Sequence, residues 1–544
     1  MDLEKLIYQP EGTKTLLLGN AAIVRGAIES GVQFIATYPG TPASEVGDIF
    51  NLLQKKHSKE FYFEYSTNEK VAMEAGIGAS FSNMKTLVCM KHFGLNVASD
   101  ALLPFVYTGS KGPTVIIVSD DPSCYSSGQS EQNTRAFAKM ANIPILEPSD
   151  PQECIDYVKL GFELSEQFEI PVMIRITTRV AHQTSNVKYG KIEKPRRKIE
   201  FKKDYNKFVT MPPRVLAMHD EVLEKIKLIR KYSEKSKINK LTGGKKKFGI
   251  ITSGVSYLYV KEALEYFNLD IPIYKLGFFN PLPLQSLRKF ILNLNKVLIV
   301  EELDPYLEDS VNILAKDINP KLKVFGKDLL PRTRELDPGL VISAIANITG
   351  KSYKISNGSS KKIIKRYPSL CPGCPYWSVF GAVKEATKGR DIVWGGGIGC
   401  YMLASFAPHE IQDYLLCMGS SMGIAHGIKK ANKKQKVISF MGDSTFFHAG
   451  MPELANVVHN QSDPLIILMD NRITAMTGQQ PYPGIERKGK KRIKIEKVVK
   501  ALGVEHVKII DPVKDYQELI STVKEFLKYK TVSVIIVRYP CQRI

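Results

Sequence analysis

The chain has 544 residues, 44% of them hydrophobic and 24% charged, which suits about three to four domains with cores of their own and excludes disorder as its main theme. Its longest apolar runs, such as Val297 to Val300 and Leu465 to Met469, fall far short of the ~18 residues that span a bilayer. The opening MDLEKLIYQ lacks a basic-then-apolar signal pattern, so a cytoplasmic protein without a membrane partner is expected. The formal charge of +21 gathers in Lys188 to Lys207, Lys225 to Lys247 and Arg487 to Lys500. Solvated faces or an acidic protein partner account for such runs. Nucleic acid is not expected, because no stacking aromatics interleave them.

In chain order, short β-branched runs alternate with helix-length amphipathic stretches: Gln33 to Thr37, Thr86 to Met90, Thr114 to Ser119 and Ile170 to Thr177. Continuous apolar strands separated by helices imply a parallel sheet covered on both faces, which defines a first α/β block over residues 1–190. Residues 191–245 turn lysine-rich, with a helix-like stretch from Val222 to Lys235, and read as a basic linker. A second, smaller α/β block over 246–350 carries Phe248-Gly-Ile-Ile-Thr-Ser-Gly254 and Leu298-Ile-Val-Glu-Glu302. After the polar separator Ser352 to Lys365, a third α/β block over 365–544 has strands at Val437 to Met441, Leu465 to Met469 and Val532 to Arg538.

In the third block, Met441-Gly-Asp-Ser444 follows one apolar strand, and Asp470-Asn471 ends the next, with 26 residues between Ser444 and Asn471. Gly442 at the strand end lets a diphosphate approach the backbone, a helix N-terminus favours its charge, and Asp443 with Asn471 offers oxygen ligands to Mg2+. The pattern resembles the thiamine diphosphate motif, Gly-Asp-Gly followed by Asn, with Ser444 in place of the usual last glycine. That resemblance implies a third magnesium ligand from the carbonyl of Ile473. Thiamine chemistry also needs a carboxyl group at the aminopyrimidine. In Asn68-Glu-Lys-Val-Ala-Met-Glu-Ala-Gly-Ile-Gly-Ala79 this is Glu69 by resemblance to the Glu-x-x-Ala segment of thiamine enzymes, with Glu74 as competitor.

Four cysteines carry the third signal: Cys371-Pro-Gly-Cys374, Gly399-Cys400 and Pro540-Cys541. A C-x-x-C loop holds two thiolates at one corner and needs two more from distant turns to close a site for one 4Fe-4S cluster or a structural Zn2+.

Tyr38-Pro-Gly-Thr-Pro42, Met90-Lys-His-Phe-Gly-Leu-Asn96, Glu301-Glu-Leu-Asp-Pro-Tyr306, Leu370 to Pro375, Gly442 to His448 and Asp470 to Gly478 together resemble the α-subunit family of indolepyruvate ferredoxin oxidoreductase, over nearly the whole chain. The resemblance implies a pyrimidine-binding domain (1–190), a transketolase-C-terminal-like domain (246–350) and a diphosphate-binding domain (365–544). It implies Cys371, Cys374, Cys400 and Cys541 as ligands of a 4Fe-4S cluster, with 25 residues between Cys374 and Cys400. Family α subunits usually continue into a ferredoxin-like tail with two more cysteine runs; this sequence stops at Ile544 without them, which leaves the electron exit open.

By the same resemblance Thr41 lies near the substrate carboxylate, although Thr41-Pro42 also reads as a plain turn. His92 and Lys91 are candidates for the same pocket, or His92 is a satisfied core histidine; His448 is read in the same two ways. Met418 to Gly423, with Gly419 and Ser420, is either a loop near thiamine or close helix packing. The implied reaction is oxidative decarboxylation of a 2-oxoacid, first an arylpyruvate, to CO2 and an acyl-CoA, with electrons leaving through the cluster to an acidic ferredoxin. Coenzyme A is then a co-substrate. The expected partner is a smaller β (γ-type) subunit, in a heterodimer or a dimer of heterodimers. A non-oxidative thiamine-dependent decarboxylase is the alternative, and it has no need of the four cysteines.

Overall fold

The computed structural model describes residues 3–194, 197–244, 246–353 and 367–543. The separator expected at Ser352 to Lys365 lies outside them from position 354 onward. The chain forms two compact units, residues 1–360 and 361–544.

The strands of the first unit are, in chain order, β1 (Lys14–Leu18), β2 (Phe34–Thr37), β3 (Tyr62–Tyr65), β4 (Thr86–Lys91), β5 (Thr114–Asp120), β6 (Ile145–Leu146), β7 (Val172–Thr177), β8 (Thr184–Lys188), β9 (Lys240–Thr242), β10 (Phe248–Ser253), β11 (Ile273–Leu276), β12 (Phe278–Asn280), β13 (Lys296–Val300) and β14 (Lys323–Phe325). Seven of them form one sheet in the order β12-β6-β7-β5-β4-β2-β3, parallel except for β12. β4, β5 and β7 are buried at every residue, so side chains on both faces of the pleat are covered, as their unbroken apolar runs require. β2 has β3 on one side and β4 on the other. Successive crossovers therefore leave in opposite directions, and a crevice opens at the carboxyl ends of β2 and β4, the switch point where ligands of parallel α/β sheets bind.

A second sheet, β14-β13-β10-β11-β9, is parallel except for β9. The stretch read as a linker carries more order than a spacer. Helix Arg214–Lys235 buries Met218, Val222, Ile226 and Ile229 at spacings of four, four and three, a single stripe beneath its lysines, and β9 then joins the second sheet. Burying four such side chains contributes about 1.5–3 kcal/mol each. β12, from the block expected to stand apart, pairs antiparallel with β6 and completes the first sheet.

Charge is also buried in this unit. Arg135 donates to Glu147 at 2.6 Å and Arg175 donates to Asp120 at 2.7 Å, while Glu301 accepts the backbone N–H groups of Leu307 and Glu308 at 2.9 Å and lies 3.4 Å from Arg135. Burial nevertheless pushes the Glu301 carboxyl up to about 7. A carboxyl raised on folding binds more protons in the native than in the unfolded chain, so the contribution of Glu301 to stability is most favourable below about pH 4.5 and is lost as pH rises toward 7. That one group is expected to cost at most about 3 kcal/mol across the window. Denaturant midpoints at pH 5 and pH 7.5 should therefore differ more in the native sequence than in Glu301→Gln; equal differences would remove Glu301 from the account.

The second unit contains β15 (Ile392–Gly395), β16 (Lys436–Gly442), β17 (Leu465–Asp470), β18 (His506–Ile510) and β19 (Ser533–Arg538), all parallel in the order β15-β16-β17-β19-β18. β16, β17 and β19 are successive neighbours in the sheet, so their carboxyl ends lie side by side along one edge of it. No helix among the described residues is long and apolar enough to cross a membrane.

Candidate active site

In the first unit the crevice at β2 and β4 gathers the sequence candidates. β2 runs into Tyr38-Pro-Gly-Thr41-Pro42; the Thr37 hydroxyl donates to the Cys89 carbonyl at 2.7 Å, and the Asn20 amide donates to the Pro42 carbonyl at 2.7 Å, so the turn is tied from two sides. Thr41 is half-buried, with its hydroxyl 3.4 Å from that of Ser44.

Glu69 opens helix Glu69–Phe81, where the helix dipole favours a negative charge, and Asn68 caps it by accepting the Val71 N–H at 2.9 Å. Its side chain is 6% exposed and lies over Gly94. A methyl group on Gly94 would stand 2.5 Å from Glu69 Cγ and 2.8 Å from Oε1. Glu74, the competitor, is half-exposed on the same helix, with Lys70 3.9 Å away. Burial thus separates two carboxylates that period alone left equal.

His92 begins helix His92–Thr108 and is fully buried. Nδ1 is 3.4 Å from the Ser119 carbonyl, which suits it as the donor, and Nε2 has no hydrogen-bond partner among the described residues. Burial draws its pKa down, so the ring is neutral, with one acceptor nitrogen unused.

In the second unit, Asp443 is buried directly after β16. Its Oδ1 accepts the Ser444 N–H at 2.7 Å and its Oδ2 accepts the Arg472 N–H at 2.9 Å. Arg472 holds φ +67°, a left-handed conformation costly for a side chain that bears a Cβ, in the same turn whose N–H reaches the carboxylate. Asn471 is buried with Oδ1 accepting the Ile473 N–H at 3.1 Å. Burial and the nearby charge of Asp470 push the Asp443 carboxyl up to about 8. Two buried acids facing one another fit a site completed by a divalent cation, which would draw that carboxyl back down. Asp470 is anchored from behind by Arg538, which donates to it at 2.6 Å and to Glu496 at 2.7 Å, and by the Tyr482 hydroxyl at 3.3 Å.

Gly419 has φ +95° and precedes helix Ser420–Ala431; a Cβ there would lie 2.5 Å from that of Ala449. Only glycine fits, and at this helix start the Ser420 N–H donates to the Cys417 carbonyl at 3.2 Å and the Gly423 N–H to Glu453 at 3.3 Å. The Ser420 hydroxyl bonds within its own turn, to the Cys417 carbonyl at 2.9 Å. Gly442 sits against the Tyr401 ring, 3.1 Å from where its Cβ would be. His448 is buried just beyond Asp443.

The four cysteines belong to this same unit. Cys374 N–H donates to the Cys371 carbonyl at 3.1 Å, closing the turn, and the Cys541 N–H donates to the Asn471 carbonyl at 3.0 Å. Tyr376, two residues past Cys374, donates to the Met469 carbonyl at 3.3 Å. Burial, then the charges of Cys374, Cys541 and Cys371, push the Cys400 thiol up to about 12. Charge on the other three cysteines thus disfavours a thiolate at Cys400, and a cationic cluster would reverse that effect and draw off its proton. Among the described residues no group of three or more His, Cys, Asp or Glu side chains stands ready to hold one metal ion.

Sequence reasoning assigned no role to Gly94, Asp470, Tyr482 or Arg538. A glycine inside an otherwise apolar helix was the available signal for Gly94; the others act through contacts between distant parts of the chain.

Residues 25–240 match the family described as "Pyruvate flavodoxin/ferredoxin oxidoreductase, thiamine diP-bdg", and residues 397–537 match "Thiamine pyrophosphate enzyme, C-terminal TPP binding domain". Fold, site and matches define a thiamine-diphosphate-binding 2-oxoacid oxidoreductase subunit. The chain is 41% identical to the indolepyruvate oxidoreductase subunit IorA of Methanothermobacter thermautotrophicus, covering 99% of this chain and 89% of that one. It is 42% identical to the IorA subunit of Pyrococcus horikoshii, covering 98% and 87%. The chain belongs to the indolepyruvate oxidoreductase subunit IorA family. A solved 2-oxoglutarate:ferredoxin oxidoreductase from Magnetococcus marinus superposes with a TM-score of 0.49 at 16% identity, over 61% of this chain and 65% of that one.

Proposed function

We propose that this chain, with a smaller β (γ-type) subunit, oxidatively decarboxylates an arylpyruvate such as indolepyruvate in the cytoplasm. The 2-oxoacid carboxylate leaves as CO2, its acyl group joins the sulfur of coenzyme A, the thiol proton is released, and two electrons pass through one 4Fe-4S cluster to an acidic ferredoxin. The observation that carries the reading is the hydrogen bond from Cys541 N–H to the Asn471 carbonyl: one turn belongs both to the cysteine set and to the magnesium ligands. A non-oxidative decarboxylase has no use for that junction.

Thiamine diphosphate, when bound, supplies an electron sink for the pair left behind by CO2. Asp443 and Asn471, with the Ile473 carbonyl, would hold Mg2+, and Gly419, Ser420, Gly442 and Ser444 would line the approach of the diphosphate. Glu69 would hold a proton for the aminopyrimidine ring of the bound cofactor. Thr41 and His92 line the substrate side, His92 through its unused Nε2. Cys371, Cys374, Cys400 and Cys541 hold the cluster.

Cys374→Ser tests the redox half. In the subunit complex purified without oxygen, about four irons per chain are expected in the native protein and close to none in the variant. Arylpyruvate-dependent dye reduction should vanish with the iron. Unchanged iron content, or dye reduction that survives, would remove the cluster from this site.

A further inference from the structure

We propose that Lys91 is the cationic partner of the substrate carboxylate, an inference that rests on the 2-oxoacid reading above. Lys91 is the last residue of β4, at the switch-point crevice, and is 8% exposed. Its stem is clamped against the Tyr38 to Pro42 turn, where a Cβ on Gly40 would lie 2.9 Å from Lys91 Cβ. Its Nζ donates to the Ser126 carbonyl at 2.7 Å and sits 5.4 Å from the centroid of the Phe93 ring. No carboxylate stands within ion-pair distance of it among the described residues, in contrast to the buried Lys275, which pairs with Glu153.

A lysine taken out of water with a carbonyl and a ring face in contact, and with the carboxylates of Asp121 and Glu69 only beyond ion-pair distance, is incompletely compensated, and an arriving anion supplies what is missing. Burial draws its ammonium down to about 8, against the opposing charges of Asp121, Cys124 and Glu69, so it is still mainly protonated at pH 7. Its neighbours along the chain and across the crevice are the expected substrate-side groups: His92 follows it, Thr41 follows Gly40, and Glu69 lies over Gly94. A 2-oxoacid is an anion next to a carbonyl, and one buried ammonium at this edge recognises the carboxylate without taking part in the bond changes.

The test uses the complex with its partner subunit. Lys91→Met is expected to lower kcat/KM for indolepyruvate about 30- to 100-fold through KM, with thiamine diphosphate affinity and iron content unchanged. Lys91→Arg should recover part of the loss. Calorimetric binding of the unreactive indole-3-propionate should weaken by the same factor in Lys91→Met, and binding of its methyl ester should not change. A KM within twofold of the native value, or equal loss for acid and ester, would overturn the proposal. If the native complex shows no turnover yet the acid binds in a Lys91-dependent way, the carboxylate site stands and the reaction assignment fails. If the acid binds equally to both proteins, or to neither, the carboxylate site itself fails.

Discussion

Glu69→Gln is expected to lower kcat by about 10²- to 10⁴-fold while leaving thiamine diphosphate affinity within a few-fold of the native value. The glutamine side chain has the same shape and can still occupy the surface of Gly94, so packing over that glycine is retained. What it loses is the exchangeable carboxyl proton. Glu74→Gln, on the half-exposed side of the same helix, serves as the control and should be neutral. Gly94→Ala approaches the same carboxylate from the other side: its methyl group cannot sit 2.5 Å from Glu69 Cγ without moving it, and a displacement of the order of 1 Å at a reacting group is worth about 10²-fold. Steady-state kinetics with cofactor titration separates these outcomes. Native kcat in Glu69→Gln would move the proton-holding role to another residue.

Asp443→Asn is expected to weaken binding of magnesium thiamine diphosphate by about 100-fold or more. Both oxygens of Asp443 accept backbone N–H groups, from Ser444 and Arg472. An amide can accept at only one position and turns an N–H toward the other donor. The substitution also removes the charge that faces Mg2+. Without cofactor the Asp443 carboxyl, pushed up to about 8, is already mainly protonated at pH 7, so the melting temperature of the cofactor-free protein should change little there. The native protein should gain about 2.7 kcal/mol at a cofactor concentration 100 times Kd, a gain that the variant lacks at the same concentration. Thermal unfolding with and without magnesium thiamine diphosphate reads both effects. A variant stabilised as strongly as the native protein would take Asp443 out of the cation site.

The parts of this site written into short stretches of sequence were legible there. The strand Lys436–Gly442, the acid that follows it and the Asn471 that ends the next strand are set by local order and spacing, and the structure places them at adjacent strand ends. Glu69 and Glu74 are both helical in period, and only burial, a property of the folded unit, distinguishes them. Gly94 acts on Glu69 from 25 residues away, Arg538 on Asp470 from 68, and Cys541 on Asn471 from 70; no local pattern encodes such contacts. β12 was assigned with its sequence neighbours, whereas its hydrogen bonds go to Ile145 and Leu146 in the first sheet. Helix Arg214–Lys235 hid its apolar stripe under lysines whose density suggested a spacer.

The proposed reaction requires that electrons from 2-oxoacid oxidation reach the cysteine-bound cluster. Its most direct measurement is the visible and electron paramagnetic resonance spectrum of the anaerobic subunit complex, loaded with magnesium thiamine diphosphate, before and after addition of indolepyruvate and coenzyme A. The cluster absorption should bleach and a reduced-cluster resonance develop as CO2 is released, and Glu69→Gln should show neither change. Release of CO2 at full rate from a complex whose cluster stays oxidised in the absence of any acceptor would contradict the proposed reaction and favour non-oxidative decarboxylation.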